Sequence, residues 1–355
     1  MDIGSRIIQL RERRMHFDQR VDREIYQELF RLMSPVMTSY WTMPGNPPTI
    51  QHRADFSDFQ FNDLLRGRRE IVKGRFQNGG IAYVYFDELE LFAALYRKPL
   101  KRLLPKDHEI LSLIEHEGPI NVKGIKEVLS MYVKDITPVL HRLQTAFIVF
   151  EDQRSIEWDR GWYAFEREFP ELDLNRYTFE QALRNVLIRF QHLMVWFEVK
   201  QAENFYKIPA KAILKVLESL VSDHVFAIYE INGKTGYLSR ADLELLDKET
   251  FGQPTDHFFC LNRNDLYVKA MEAELKVRFP KNESEPMYYL LHQGIFKGAV
   301  YGHFKIGPNI LDDVRFDTNV ESMRAKKTEV IKAIGKVENL DRSPIRNYMG
   351  EINHG

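Results

Sequence analysis

Residues 107–160 read DHEILSLIEHEGPINVKGIKEVLSMYVKDITPVLHRLQTAFIVFEDQRSIEWDR, and their pattern decides the fold. Ile110, Leu111 and Ile114 recur at helical spacing, which predicts an amphipathic helix over 107–117 that Gly118-Pro119 ends. Asn121 can cap a second helix holding Ile125, Val128 and Leu129, because its side-chain oxygen can accept from an unpaired N–H of the first turn. Thr137-Pro138 places a hydroxyl before a proline and predicts the start of a third helix, with Val139, Leu140 and Leu143 inside. Residues 147–150 are β-branched and aromatic, 153–155 are a turn, and Ile156-Glu157-Trp158 predicts a return strand. Three helices closed by a two-stranded hairpin are the winged form of the helix-turn-helix.

The same order returns downstream. Helices are predicted over 179–190 and 199–205, and Pro209 opens a third that holds Ile213, Leu217 and Leu220. Residues 225–231 read as a strand, Asn232-Gly233-Lys234 as a hairpin turn with positive φ, and Gly236-Tyr237-Leu238 as its return. Upstream, the first 38 residues read as helix, and Pro35, Pro44, Pro47 and Pro48 stop it. Residues 81–86 are a strand, after which Asp87 caps a helix to about residue 96. Beyond residue 250, 258–261 is a strand, 287–291 and 295–304 form a hairpin around Gln293-Gly294, and 320–340 reads as a polar, basic, peripheral helix. The expected fold class is α+β with tandem winged-helix domains. Its divisions are a helical region with a strand pair (1–106), a first winged helix (107–170), a second (171–250), a C-terminal β-domain (251–320) and a helix with tail (321–355).

The chain has 355 residues and a formal net charge of −1, so it cannot coat nucleic acid by bulk charge, and any such site must be local. The single cysteine, Cys260, excludes an internal disulfide and a cysteine-based zinc site. The eleven histidines lack zinc-enzyme spacing, and no glycine-rich phosphate loop or nucleophile elbow is present. No apolar run reaches the roughly 18 residues a membrane span needs, and the opening MDIGSRIIQLRERR is too charged for a signal peptide. The expectation is a cytoplasmic monomer without metal, nucleotide or other cofactor, nucleoid-associated if bacterial.

Local basic patches do occur. Lys207, Lys211 and Lys215 are four apart and form one stripe opposite Ile213, Leu217 and Leu220. In the first repeat His141 and Arg142, with Thr145, take that place, and Arg154 and Lys234 stand at the two wing tips. The run 66–75 (RGRREIVKGR) carries Arg66, Arg68, Arg69, Lys73 and Arg75 against one acid, and 97–106 carries five cations and no acid. Such cations neutralise phosphates or reach base edges of double-stranded DNA; the competing reading is an ordinary solvated face.

Ile71-Val72-Lys73-Gly74-Arg75 with Ile81-Ala82-Tyr83-Val84, the run LSLIEHEGP at 111–119, Trp158-Asp159-Arg160 and Phe169-Pro170-Glu171 stand in a distinctive order. Residues 259–265, Tyr288-Tyr289-Leu290-Leu291-His292-Gln293-Gly294 and Gly298 continue it. In this order the chain resembles the AlkZ/YcaQ-like family, bacterial tandem winged-helix proteins that include DNA glycosylases acting on alkylated or crosslinked bases. The resemblance implies that fold, duplex DNA as partner, and base excision. It also implies a catalytic Gln-x-Gln or Gln-x-Asp element before the strand pair, and no such tripeptide occurs in this chain. Arg53 matches a later family arginine, which puts the motif near residues 40–42. Gln51 and Asp55 are then the nearest catalytic candidates, with Arg53 and Arg75 bracketing the phosphates of an extruded nucleotide. The alternatives are that Gln51 is a loop residue and Asp55 an ion-pair partner of Arg53, and that the protein is a non-catalytic DNA-binding regulator or a protein-interaction scaffold.

Overall fold

The computed structural model describes residues 2–17, 19–38, 46–50, 53–153, 160–248, 255–305, 307–317 and 320–353. Along the chain, α1 (Ile3–Arg14), α2 (Arg23–Met33), β1 (Val36–Met37), α3 (Asp58–Gly67), β2 (Ile71–Phe76), β3 (Gly80–Tyr85) and α4 (Leu89–Tyr96) come first. Next are α5 (Pro105–Glu117), α6 (Val122–Leu129), α7 (Val133–Thr145), β4 (Val149–Asp152), β5 (Gly161–Ala164) and α8 (Phe165–Glu168). They lead to α9 (Phe179–Met194), β6 (Trp196–Phe197), α10 (Val199–Tyr206), α11 (Ala210–Ser222), β7 (Phe226–Ile231), β8 (Lys234–Ser239) and α12 (Arg240–Lys248). The C-terminal part holds β9 (Phe258–Asn262), α13 (Leu266–Ala270), α14 (Glu272–Arg278), β10 (Glu285–His292), β11 (Ile295–His303), β12 (Ile310–Phe316), α15 (Val320–Ala325), α16 (Lys327–Ile334), β13 (Ile345–Tyr348) and β14 (Glu351–Ile352). No helix among the described residues is long and apolar enough to cross a membrane.

These elements gather into two compact units, one of residues 34–49 and 59–183, the other of 1–33, 50–58 and 184–355. In the first, β1, β3 and β2 form an antiparallel sheet in that order, so the expected strand pair is present, with Val36 opposite Tyr83 and Ile71 opposite Tyr85. The winged helix follows. Asp107 accepts from the Leu104 N–H at 2.8 Å at the start of α5, and Asn121 from the Gly124 N–H at 2.7 Å at the start of α6. Ile110, Ile114, Ile125, Ile136, Val139, Leu140 and Leu143 close a core against Val149 and Trp162. Ile120 exchanges backbone hydrogen bonds with Trp162, which adds a third rung beside the β4–β5 hairpin.

Two boundaries differ from the sequence reading. The third helix, α7, begins at Val133, and Pro138 lies inside it on an exposed face. The return strand is β5; Ile156-Glu157-Trp158 lies outside the described residues. Asp87 also differs, for it sits in a 3-10 turn (Phe86–Glu88) before α4 and does not cap it.

The second unit carries the second winged helix. Its sheet order is β6-β8-β7, the same topology as Ile120, β5 and β4. Asn232 and Gly233 both take positive φ (52° and 76°), the type I′ geometry that Asn-Gly favours. Strand β6, too short to be read from the sequence, pairs Trp196 with Leu238. The N-terminal stretch read as helix holds two helices, α1 and α2, followed by strand β1: Met15 ends α1, His16 takes a φ of 51°, and Phe17 is buried. Beyond residue 255, β14-β13-β12-β11-β10-β9 form one sheet, with β12 and β13 parallel. The predicted peripheral helix is two short ones. Met323, Val330, Ala333 and Ile334 are buried against Cys260, Leu290 and Val314, so α15 and α16 cover the sheet.

Candidate nucleic-acid interface

In the second unit, α11 follows α10 as a recognition helix follows its partner. Ile213, Val216, Leu217 and Leu220 are buried, which turns Lys211 and Lys215 to solvent. Lys207 does not extend that stripe. It is the left-handed cap of α10 (φ 56°), and its Nζ lies 2.6 Å from Glu272. Hydrogen bonds from Lys207 and Lys276 and the charge of Lys269 outweigh the burial that opposes them, and hold Glu272 down to about 2. Lys234, at the wing turn, lies 3.3 Å from Glu198 and remains more than half exposed.

Arg53 lies in the core of this unit. Its side chain is fully buried, its Nε donates to the Met15 carbonyl at 2.9 Å, and one terminal nitrogen pairs with Asp265 at 2.7 Å. The guanidinium stacks over Phe17 with 4.7 Å to the ring centroid. It therefore holds neither a phosphate nor Asp55, which is exposed and whose N–H donates to the Val21 carbonyl. Gln51 and Arg154 lie outside the described residues, as do the motif positions 40–42.

The first unit gathers most of the 66–75 run into a buried charge cluster. On β2, Lys73 and Arg75 alternate with Val72 and Gly74 and so share one face. Lys73 Nζ reaches Gln153 Oε1 at 3.3 Å and Glu151 Oε1 at 3.5 Å; the other Glu151 oxygen accepts from Arg160 at 2.7 Å. Arg75 donates to Gln144 at 2.6 Å and the Gly79 carbonyl at 3.1 Å, and its third nitrogen lies 3.1 Å from His141 Nε2. Arg69 pairs with Asp152 and stacks over Phe150 and Tyr163 at 5.0 and 4.9 Å. Arg66 is buried against Asp63, and Arg142 pairs with the buried Asp107. Of the run's five cations only Arg68 is exposed, 3.7 Å from the exposed Glu70.

Burial raises Glu151, but Lys73 and Arg160 outweigh it and hold the carboxyl below its ordinary range. Lys73 shifts the other way: its own burial exceeds the attraction of Glu151, and its ammonium is lowered. The two directions agree on one point, that the pair is taken out of water. Burial and the neighbouring Arg75 both lower His141, which suits a neutral ring accepting from the guanidinium. Chemically, this arrangement ties β2 to β4 and to the C-terminal half of α7. Asp152 and Glu151 of β4 neutralise Arg69 and Lys73, while Arg75 spends its donors on Gln144, the Gly79 carbonyl and His141. Arg66, Arg69, Lys73, Arg75, His141 and Arg142 are thus internal partners, contrary to the reading that put them on a DNA face. Sequence reasoning does not mark the acidic partners Asp107, Asp265, Glu151 and Asp152; only the last two carry a local signal. An acidic pair ending an apolar strand was the available signal.

No known family profile matches the chain, and no curated protein matches it in sequence. Among solved structures, the chain is similar to the Streptomyces sahachiroi DNA glycosylase AlkZ, with a TM-score of 0.70 and 10% identity, over 97% of this chain and 99% of that one. At that identity the likeness speaks for the fold, and it extends over both units. This chain has the α+β, tandem winged-helix fold of the AlkZ/YcaQ-like proteins.

Proposed function

We propose that this protein binds double-stranded DNA through its winged helices and acts as a monomer in the cytoplasm, nucleoid-associated if bacterial. The observation that carries this reading is α11, which buries Ile213, Leu217 and Leu220 and presents Lys211 and Lys215 outward from a helix-turn-helix. Arg68 and Lys234, both more than half exposed, are the further phosphate contacts we retain. The test is a titration of the full chain with a labelled duplex across a range of salt. Each neutralised phosphate steepens the log–log slope by about 0.9. A flat salt dependence, or no binding at low salt, rejects the reading.

Excision of alkylated or crosslinked bases is the second reading. It is favoured by the likeness to a DNA glycosylase over nearly the whole chain. Such chemistry must expose the base, stabilise a cationic sugar and position a water. Gln51 and Asp55 are the candidates for the last two tasks. Duplexes carrying alkylated or crosslinked bases, scored for abasic sites, decide it. Release that disappears in Gln51→Ala and Asp55→Ala with binding retained supports catalysis; binding without release leaves a non-catalytic regulator or scaffold.

A further inference from the structure

The first winged helix has a recognition helix whose far end is already occupied. His141 and Gln144 face Arg75, and Arg142 faces Asp107. The exposed positions of α7 are Val133, Lys134 and Pro138, all in its first half. What α7 offers to a ligand is therefore its N-terminal end and the corner that joins it to α6. That corner is unusual in composition. Val128, Tyr132 and Val133 are 62%, 69% and 48% exposed, three large apolar side chains within six positions. Cations surround them: Lys123 and Lys126 are exposed on α6, and Lys134 Nζ lies 5.5 Å from the centre of the Tyr132 ring. Of the two acids between positions 123 and 135, Asp135 is held by Lys106 at 3.0 Å, and the other, Glu127, stands among three lysines in sequence.

An exposed aromatic flanked by cations, at the leading end of a recognition helix, has the chemistry of a nucleic-acid contact. Lysines attract the backbone from either side, and a ring can stack on a base whatever its identity. An apolar side chain pushed between base steps also unstacks them locally. We propose that the α6–α7 corner is a wedge for duplex DNA, with Tyr132 entering the base stack and Lys123, Lys126 and Lys134 seated on the flanking phosphates. This inference rests on the DNA-binding reading above and adds the place and manner of contact.

The experiment uses the full chain and a fluorescein-labelled duplex with a central 2-aminopurine, whose fluorescence rises when it is unstacked. Wild type is expected to bind and to raise that fluorescence. Tyr132→Ala should lose the rise and weaken binding about tenfold, the scale of one base–aromatic stack. Tyr132→Trp should keep both. Lys123→Ala and Lys134→Ala should each reduce the salt slope by about one while leaving the fluorescence rise at saturation. Tyr132 is exposed, so equal thermal midpoints establish that the variants fold. If wild type binds and Tyr132→Ala binds and unstacks equally well, the wedge is overturned while the DNA-binding reading stands. If wild type binds no duplex, both fall. If Tyr132→Ala instead abolishes self-association of the wild-type chain without changing duplex binding, the corner is a protein contact and the wedge is overturned.

Discussion

Arg53 and Asp265 are 212 positions apart in sequence and 2.7 Å apart in the fold. Burying a guanidinium is tolerable only with its carboxylate in place, since a lone buried charge costs far more than the pair. Asp265→Ala should therefore destabilise the protein by about 3–5 kcal/mol. It also removes the carboxylate that accepts from the Tyr267 N–H at the start of α13. Adding Arg53→Met to that variant should restore part of the loss, because the orphaned charge is gone; urea midpoints of the two variants measure it. Glu151 gives a prediction in pH. Its carboxyl is lowered in the fold, so the unfolded chain takes up the proton first as the pH falls. The stability it contributes is complete above its ordinary value of 4.5 and is lost as the pH drops through its lowered one. Glu151→Gln should lower the thermal midpoint most near neutrality, where it strands Lys73 and Arg160, and the gap to wild type should narrow as the pH falls below 4.5. A gap that stays constant with pH would mean the loss is one of packing and not of charge.

At the level of elements, the third helices of the two winged-helix units, α7 and α11, expose unequal surfaces. Helix α11 offers two exposed lysines on its outer face, so reversing Lys211 and Lys215 to glutamate should weaken duplex binding and flatten the salt slope by about two. The same reversal at Lys327 and Lys332 should do less; Lys327 already rests against Tyr348, 5.5 Å from the ring. Equal effects would remove α11 from the interface. The hairpin turn between β10 and β11 is a second test. Gly294 has φ +69°, and a Cβ there would stand 2.1 Å from Ile8 Cγ2 of α1, so Gly294→Ala should cost about 1–3 kcal/mol in chemical denaturation. Elements of this kind were readable because their causes are local. Asn121, the Asn232-Gly233 pair and the 3.6-residue spacing of Ile213, Leu217 and Leu220 act within a few residues. Two-residue strands were not readable: Trp196-Phe197 is too short to show alternation, and Ile120 makes its rung alone. The site was less legible than the fold. A run of five cations at 66–75 announces a charged surface until Glu151 and Asp152, some eighty positions later, are seen to fold against it.

Across the whole molecule, the chain enters and leaves each unit more than once, and this restricts how it can be divided. The stretch 184–355 holds the second winged helix, short of the first five residues of α9, and the six-stranded sheet, yet its unit also includes 1–33 and 50–58. Helix α1 is part of that core: Ile7 and Leu10, 3% and 2% exposed, pack with Val195, Trp196, Leu238 and Leu246. Its polar side is equally committed. Arg11 donates to the Met194 carbonyl at 2.9 Å, and Arg14 pairs with the buried Asp242 at 2.5 Å. That arginine, with Gln191, overcomes burial to keep Asp242 below its ordinary value. A fragment of residues 184–355 would lose about 1.5–3 kcal/mol for each of the two buried aliphatic side chains. It would also leave Asp242 and Asp265 without their arginines. Together these losses approach the roughly 5–15 kcal/mol that holds a domain folded. The fragment is therefore expected to melt without a cooperative transition, and co-expression with residues 1–58 to restore one, as followed by circular dichroism. A fragment that melts cooperatively at the temperature of the full chain would show that the second winged helix and the sheet stand without α1, and that the arginines of α1 are incidental to their stability.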